Sequence, residues 1–316
     1  MEVNKKFVIL SSFCIKNRFR FWMQIRRRQK NVRPACTFRV LCYNTGQKKE
    51  LMHMLIDFHT HAFPPKIAAG AVAGLSHAAG GLEPQTDGTV SSLKEQMAAD
   101  GVDISVVLSI ATNPKQQTNV NNFAIQMNAE PGIMAFGSVH PDSPNALEEL
   151  ERLKDAGIKG VKFHPEYQNF YADEERMKPV YRKISELGLI TVFHAGHDYG
   201  FAPPYHCMPD QLLGAKKWLD GPVVAAHWGG LGCGGEVLRK LCGQDLYFDL
   251  SFGYGTMPKS MAQAILDAHG PEKLLFGSDM PWHRPAWEMR LLNSLDLAPA
   301  DREKICFRNA QTLLNL

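Results

Sequence analysis

From Met54 onward the chain repeats one pattern, a short apolar run rich in Val, Ile, Leu and Phe followed by a longer stretch with helical punctuation. The runs are LIDFH (55–59), ISVVLSI (104–110), MAFGSVH (134–140), GVKFH (160–164), ITVFH (190–194), VVAAH (223–227), LYFDLSF (246–252) and LLFGSD (274–279). Nearly continuous apolar strands call for burial on both faces, and helices between them call for parallel pairing through crossovers. SPNALEELERLKDAG (143–157) starts with Ser before Pro, sets Leu147, Leu150 and Leu153 at helical spacing and stops at Gly157. Residues 173–188 end at Gly188 and residues 258–270 at Gly270 in the same way. Eight such units predict an α/β fold, a closed (β/α)8 barrel whose functional groups sit at the C-terminal strand ends. A doubly wound open sheet is the alternative, but no glycine fingerprint opens a first helix. Residues 62–90 form the longest gap between strands and read as a loop, either a lid or plain surface chain.

The first 53 residues do not share the pattern. They hold 13 lysines and arginines against two acids, Glu2 and Glu50, and include IRRRQKNVR (25–33). Three readings fit: a targeting peptide, a nucleic-acid-binding segment, or an extension with no folded role, such as one translated from upstream of a start at Met52 or Met54. The last is favoured, because nothing in the segment contributes to a core. Residues 1–53 are thus expected to be a basic, disordered extension and 54–316 the barrel domain. That domain keeps 22 basic and 30 acidic residues, about −8 in net charge. It has no basic stripe for nucleic acid. The seven cysteines form no Cys-x-x-Cys pair, which fits a reducing cytoplasm, and FVIL (7–10) is far too short to span a membrane. The expected partner is a small-molecule substrate, with neither nucleic acid nor membrane, and homo-oligomerisation is left open.

The strand ends carry chemistry. His59 and His61, two apart in an extended strand, face the same way, with Phe58 and Thr60 facing the other. Two imidazoles at a rigid strand end suit a metal ion, each offering a neutral ring nitrogen. Lys162 and His164, His194, His227 and Asp279 end strands four, five, six and eight, and a barrel brings all of them to one mouth. Histidines and a carboxylate around an open position are the pattern of a catalytic metal site that acidifies water.

DFHTHAFPP, VKFHPEYQ, VFHAGHD, AHWGG, FGSDMPW and the terminal RNAQTLLNL together resemble the amidohydrolase-related family, over essentially residues 54–316. That branch of the amidohydrolase superfamily includes metal-dependent hydrolases and nonoxidative decarboxylases. The resemblance implies that His59, His61, His194 and Asp279 hold one divalent metal, that Asp279 also acts as general base, and that His227 polarises the substrate. Zinc is the default ion, with manganese, iron and cobalt compatible with the same ligands. In other branches a carboxylated lysine of strand four bridges two metals. Here Lys162 reads instead as a partner for a substrate carboxylate or a structural ion pair, and His164 as a further ligand or a loop-shaping residue. Asp57 is a candidate to orient a metal-bound histidine or to make a buried structural hydrogen bond. Glu166, Tyr167 and Arg284 are candidates for substrate contact. His197, Asp198 and His206 are expected on a solvent-exposed loop. The expected activity is hydrolysis of an amide, ester or lactone. Decarboxylation of an aromatic or enolic acid is the alternative, and a binding barrel without turnover the third reading.

Overall fold

The computed structural model describes residues 54–316, so the readings of residues 1–53 lie outside the described residues. Every expected run contains a strand: β1 (Ile56–Thr60), β2 (Ile104–Leu108), β3 (Ile133–Phe136), β4 (Gly160–Phe163), β5 (Ile190–Phe193), β6 (Val223–Ala225), β7 (Tyr247–Asp249) and β8 (Leu274–Leu275). Most strands are shorter than the apolar runs because the chain leaves the ladder at its C-terminal end. His164, His194, His227 and Asp279 all follow the last residue of their strand.

Pairing is parallel throughout, in the orders β1-β2-β3 and β4-β5-β6-β7-β8. Two seams join these sheets into a ring. At one, Gly137 bridges Val161 and the Lys162 amide donates to the Gly137 carbonyl at 2.8 Å; at the other, Thr60 bridges Met280 and the His61 amide donates to the Met280 carbonyl at 2.6 Å. The result is a (β/α)8 barrel. Between the strands run α1 (Pro65–Ala78), α2 (Val90–Asp100), α3 (Gln117–Met127), α4 (Ala146–Asp155), α5 (Lys178–Glu186), α6 (Pro209–Lys216), α7 (Gly234–Lys240) and α8 (Lys259–His269), with α9 (Pro285–Ser294) after β8.

The helices end where the sequence says they should. Gly157, Gly188 and Gly270 all take positive φ, which releases the chain from helical geometry at low steric cost. On α4 the buried stripe is Ala146, Glu149, Leu150 and Leu153; Leu147, expected in it, is exposed. Residues 62–90 are not a structureless loop. Pro65 takes the first helical position, where its missing N–H costs nothing, and α1 fills much of the gap.

Two apolar layers result. One lies between sheet and helices and includes Val107, Val161, Phe163, Phe193, Ala225 and Phe248. The other fills the barrel, with Ile56, Phe58, Val106, Leu108, Phe136, Val192, Val224 and Leu275, and takes in Ala310 and Leu314 from the terminal helix Asn309–Leu314. Phe58 therefore does not point away from the interior as strict alternation predicts. The register of β1 against β2 shifts between Asp57 and Thr60, and an irregularity of this kind re-aims side chains. Phe58 meets Phe136 edge-on at 5.8 Å inside the barrel, while His59 still reaches the mouth.

Candidate active site

At the mouth, Nε2 of His59 lies 3.2 Å from Nε2 of His61. Oδ1 of Asp279 lies 3.4 Å from the first and 3.2 Å from the second. The far nitrogens decide what those atoms are. Nδ1 of His61 faces the Leu108 carbonyl at 2.8 Å and must donate, since a carbonyl only accepts. Nδ1 of His59 faces Oδ2 of the buried Asp249 at 2.9 Å and donates likewise. Burial holds the His59 imidazole well below its ordinary pKa, so the ring is neutral. Nε2 of His59 is thus a bare lone pair, and with Nε2 of His61 and the Asp279 carboxylate it brings three potential ligand atoms together. Such a cluster calls for a cation. Its spacing suits one, because a tetrahedral ion with ligands at about 2.0–2.1 Å has donor atoms about 3.3–3.4 Å apart.

His194, the fourth expected ligand, is not drawn into this trio. Its Nε2 faces the His197 carbonyl at 3.0 Å and its Nδ1 faces Nε2 of His227 at 3.1 Å. Nε2 of His194 therefore carries the proton, and Nδ1 accepts from Nε2–H of His227. Nδ1 of His227 is left to the Ser251 hydroxyl at 2.8 Å, and that oxygen also contacts Asp249. Burial pushes His194 down to about 4 and His227 well below its usual value, so both are neutral. His164, His194 and Asp198 form a further group of potential donors. The rings of His164 and His194 stack at 4.1 Å and 15°, however, so their in-plane lone pairs run side by side and do not converge. That geometry suits hydrogen bonding better than an ion, with Nε2 of His164 3.3 Å from Oδ2 of Asp198. Burial alone would raise the Asp198 carboxyl; the hydrogen bond and charge of His164 hold it well below the usual range.

Lys162 is only 1% exposed and its Nζ has no hydrogen-bond partner. Burial lowers it to about 8, against the pull of Asp249 and Asp279. It lines, with the histidines and Asp279, a cavity of about 750 Å³. Glu166 is buried, accepting from the His206 amide at 2.8 Å, with its other oxygen 3.7 Å from Nδ1 of His164. Tyr167 reaches the cavity and meets His164 edge-on.

Arg284 is a correction. It is absent from the cavity lining, and its guanidinium instead grips Asp100 of α2 through two contacts, at 3.2 and 2.5 Å. Asp198 is another: the loop after β5 folds back and puts its carboxylate in the cavity wall. Asp57 takes the structural option, accepting from the Ser278 amide and hydroxyl at 2.9 and 2.5 Å, and burial raises it to about 7. Asp249 and Ser251 were missed by sequence reasoning. The signal was present in LYFDLSF, the seventh run, whose polar residues alternate as those of a strand end do.

Strained backbone gathers here. His227, Trp228, Phe252 and Asp279 take φ of 61°, 60°, 58° and 71°, left-handed values uncommon without glycine. They are held by neighbours: the Trp228 amide donates to the Asp249 carbonyl and the Asp279 amide to the His59 carbonyl, both at 2.7 Å. Hydrogen bonds to β7 and β1 thus fix the turns that carry His227 and Asp279.

The amidohydrolase family profile matches residues 56–316. The chain belongs to the amidohydrolase family. No curated protein matches it. Among solved structures, 2,6-dihydroxybenzoate decarboxylase from Rhizobium is 16% identical, covering 83% of this chain and 99% of that one at a TM-score of 0.63. The 5-carboxyvanillate decarboxylase of Novosphingobium aromaticivorans, a mutant with bound manganese, is 13% identical, covering 84% and 97% at 0.59. A probable 2-pyrone-4,6-dicarboxylic acid hydrolase from Acinetobacter baumannii, with citric acid bound, is 20% identical, covering 83% and 99% at 0.60. At these identities the likeness is one of fold. Among the described residues no helix is long and apolar enough to cross a membrane.

Proposed function

We propose that this member of the amidohydrolase family is a metal-dependent hydrolase of a small-molecule ester, lactone or amide, working in the cytoplasm. The observation that carries this reading is the convergence of two histidine Nε2 atoms and one carboxylate oxygen on a single point. His59, His61 and Asp279 would hold one divalent ion, zinc by default, with manganese compatible. Such an ion polarises a carbonyl oxygen and lowers the pKa of water toward neutrality.

The chain supplies the rest. Asp279 takes up a proton at its carboxylate as water attacks. Nε2–H of His227, now shared with Nδ1 of His194, is available to a developing oxyanion in the cavity. Asp249 holds the tautomer of His59 and accepts from the His227 backbone amide at 3.1 Å, so one buried carboxylate orients both residues.

Decarboxylation is the second reading, favoured by one observation: the unpartnered buried ammonium of Lys162 suits a substrate carboxylate. Against it, among the described residues no arginine lines the cavity to clamp a carboxylate in two-point fashion. Metal-reconstituted protein offered a panel of lactones, esters, amides and aromatic acids decides between them. Hydrolysis lost in Asp279→Asn is the expected result; carbon dioxide release without hydrolysis would replace the first reading by the second.

A further inference from the structure

Helix α1 contributes no group to the proposed chemistry, yet its pattern is unusual for a surface helix. Ile67, Gly70, Ala71, Gly74, Leu75 and Ala78 recur at intervals of three and four, so they share one face, and all six line the cavity that holds His59, His61 and Asp279. That face is apolar throughout and is not packed away. The helix buries only Ala68 and Val72, and Ile67 is 55% exposed.

The two glycines sharpen the point. Glycine inside a helix weakens it, and one is expected where something needs the room. Among the described residues a Cβ at Gly70 or Gly74 would meet nothing within 4 Å, so none of those neighbours requires a glycine there. What they do is widen the cavity. Val120 and Phe123 of α3 also line it, extending the apolar wall. Its volume of about 750 Å³ is several times the ~150 Å³ known to hold benzene. A second, independent feature points to a ligand: among the described residues Lys162, 1% exposed and without a hydrogen-bond partner, is the one lysine or arginine in the lining.

We propose that the cavity takes an amphiphilic carboxylic acid or acid derivative, with one anionic group at Lys162 and an apolar body longer than a single aromatic ring lying along α1. This names the substrate class of the catalytic pocket and so rests on the reading of that pocket given above. A second copy of the chain covering α1 from outside would leave the Lys162 ammonium unpaired; a ligand in the cavity meets both requirements.

Calorimetric titration of the full-length protein, incubated with zinc, against butanoate, hexanoate, octanoate and decanoate tests it. Affinity rises about fourfold per methylene from butanoate to octanoate if the chain lies on α1. Gly74→Leu, which improves helix propensity, weakens octanoate binding at least tenfold and leaves butanoate within twofold; Gly70→Leu does the same. Lys162→Met weakens every length alike. A flat series overturns the proposal, as does a Gly74→Leu variant that binds octanoate like the wild type. If that variant changes sedimentation and not octanoate affinity, the face belongs to a second copy. Zinc content of the same samples separates the two failures: graded binding without bound zinc sinks the catalytic reading alone, and bound zinc with a flat series sinks this inference alone.

Discussion

Asp249 accepts from Nδ1 of His59 and thereby decides which nitrogen of that ring is free. In Asp249→Asn the side chain keeps its shape but can donate as well as accept, so the other tautomer becomes available. Metal affinity, measured by chelator competition, falls about ten- to hundredfold; wild-type affinity in the variant would remove the tautomer argument. Lys162 yields a pH prediction. Its folded pKa, about 8, lies below its unfolded value near 10.5, so the metal-free fold is penalised while the lysine is charged and the penalty fades as pH rises from 8 to 10.5. Metal-free Lys162→Met is more stable than the wild type at pH 7, by about 3 kcal/mol at most, and the gap closes above pH 10.5. Denaturant melts at pH 7 and 10.5 check this; a constant gap contradicts it. At this scale the clustering of His59, His61 and Asp279 was legible, because each stands at the end of an apolar run. Asp249 was not, because its role is set by a partner 190 residues away in sequence.

Arg284 shows why nearness in sequence misleads at the level of elements. It follows Asp279 by five residues, yet the chain turns into α9 and hands the guanidinium to Asp100, whose side chain is 3% exposed. Arg284→Ala leaves that carboxylate uncompensated and costs about 1–3 kcal/mol of stability, while turnover per folded molecule stays unchanged. A fall in turnover with unaltered stability would return Arg284 to the site. Strands and most helix ends could be read, since apolar runs and terminal glycines carry their own physical signal. Helix α1 could not: four of the residues 70–81 are glycine, which argues against a helix, and only the cavity explains two of them. Asp198 was hidden for a related reason, since the Pro- and Gly-containing loop that carries it gives no periodicity to show that it folds inward.

Across the whole molecule, the eight strands and their helices build the ring and the inner and outer layers from residues 54–316. We propose that residues 1–53 add nothing to this stability. A chain starting at Met54 keeps its melting temperature and activity, and a large loss of either refutes the proposal. The proposed chemistry rests on one point in space where Nε2 of His59, Nε2 of His61 and Oδ1 of Asp279 meet. Elemental mass spectrometry of the reconstituted protein, beside His59→Ala and Asp279→Ala, tests it most directly. About one equivalent of divalent metal in the wild type, lost in both variants while their folds persist by circular dichroism, is the predicted result. A wild-type protein that takes up no metal, or variants that retain it, would contradict the account at its centre.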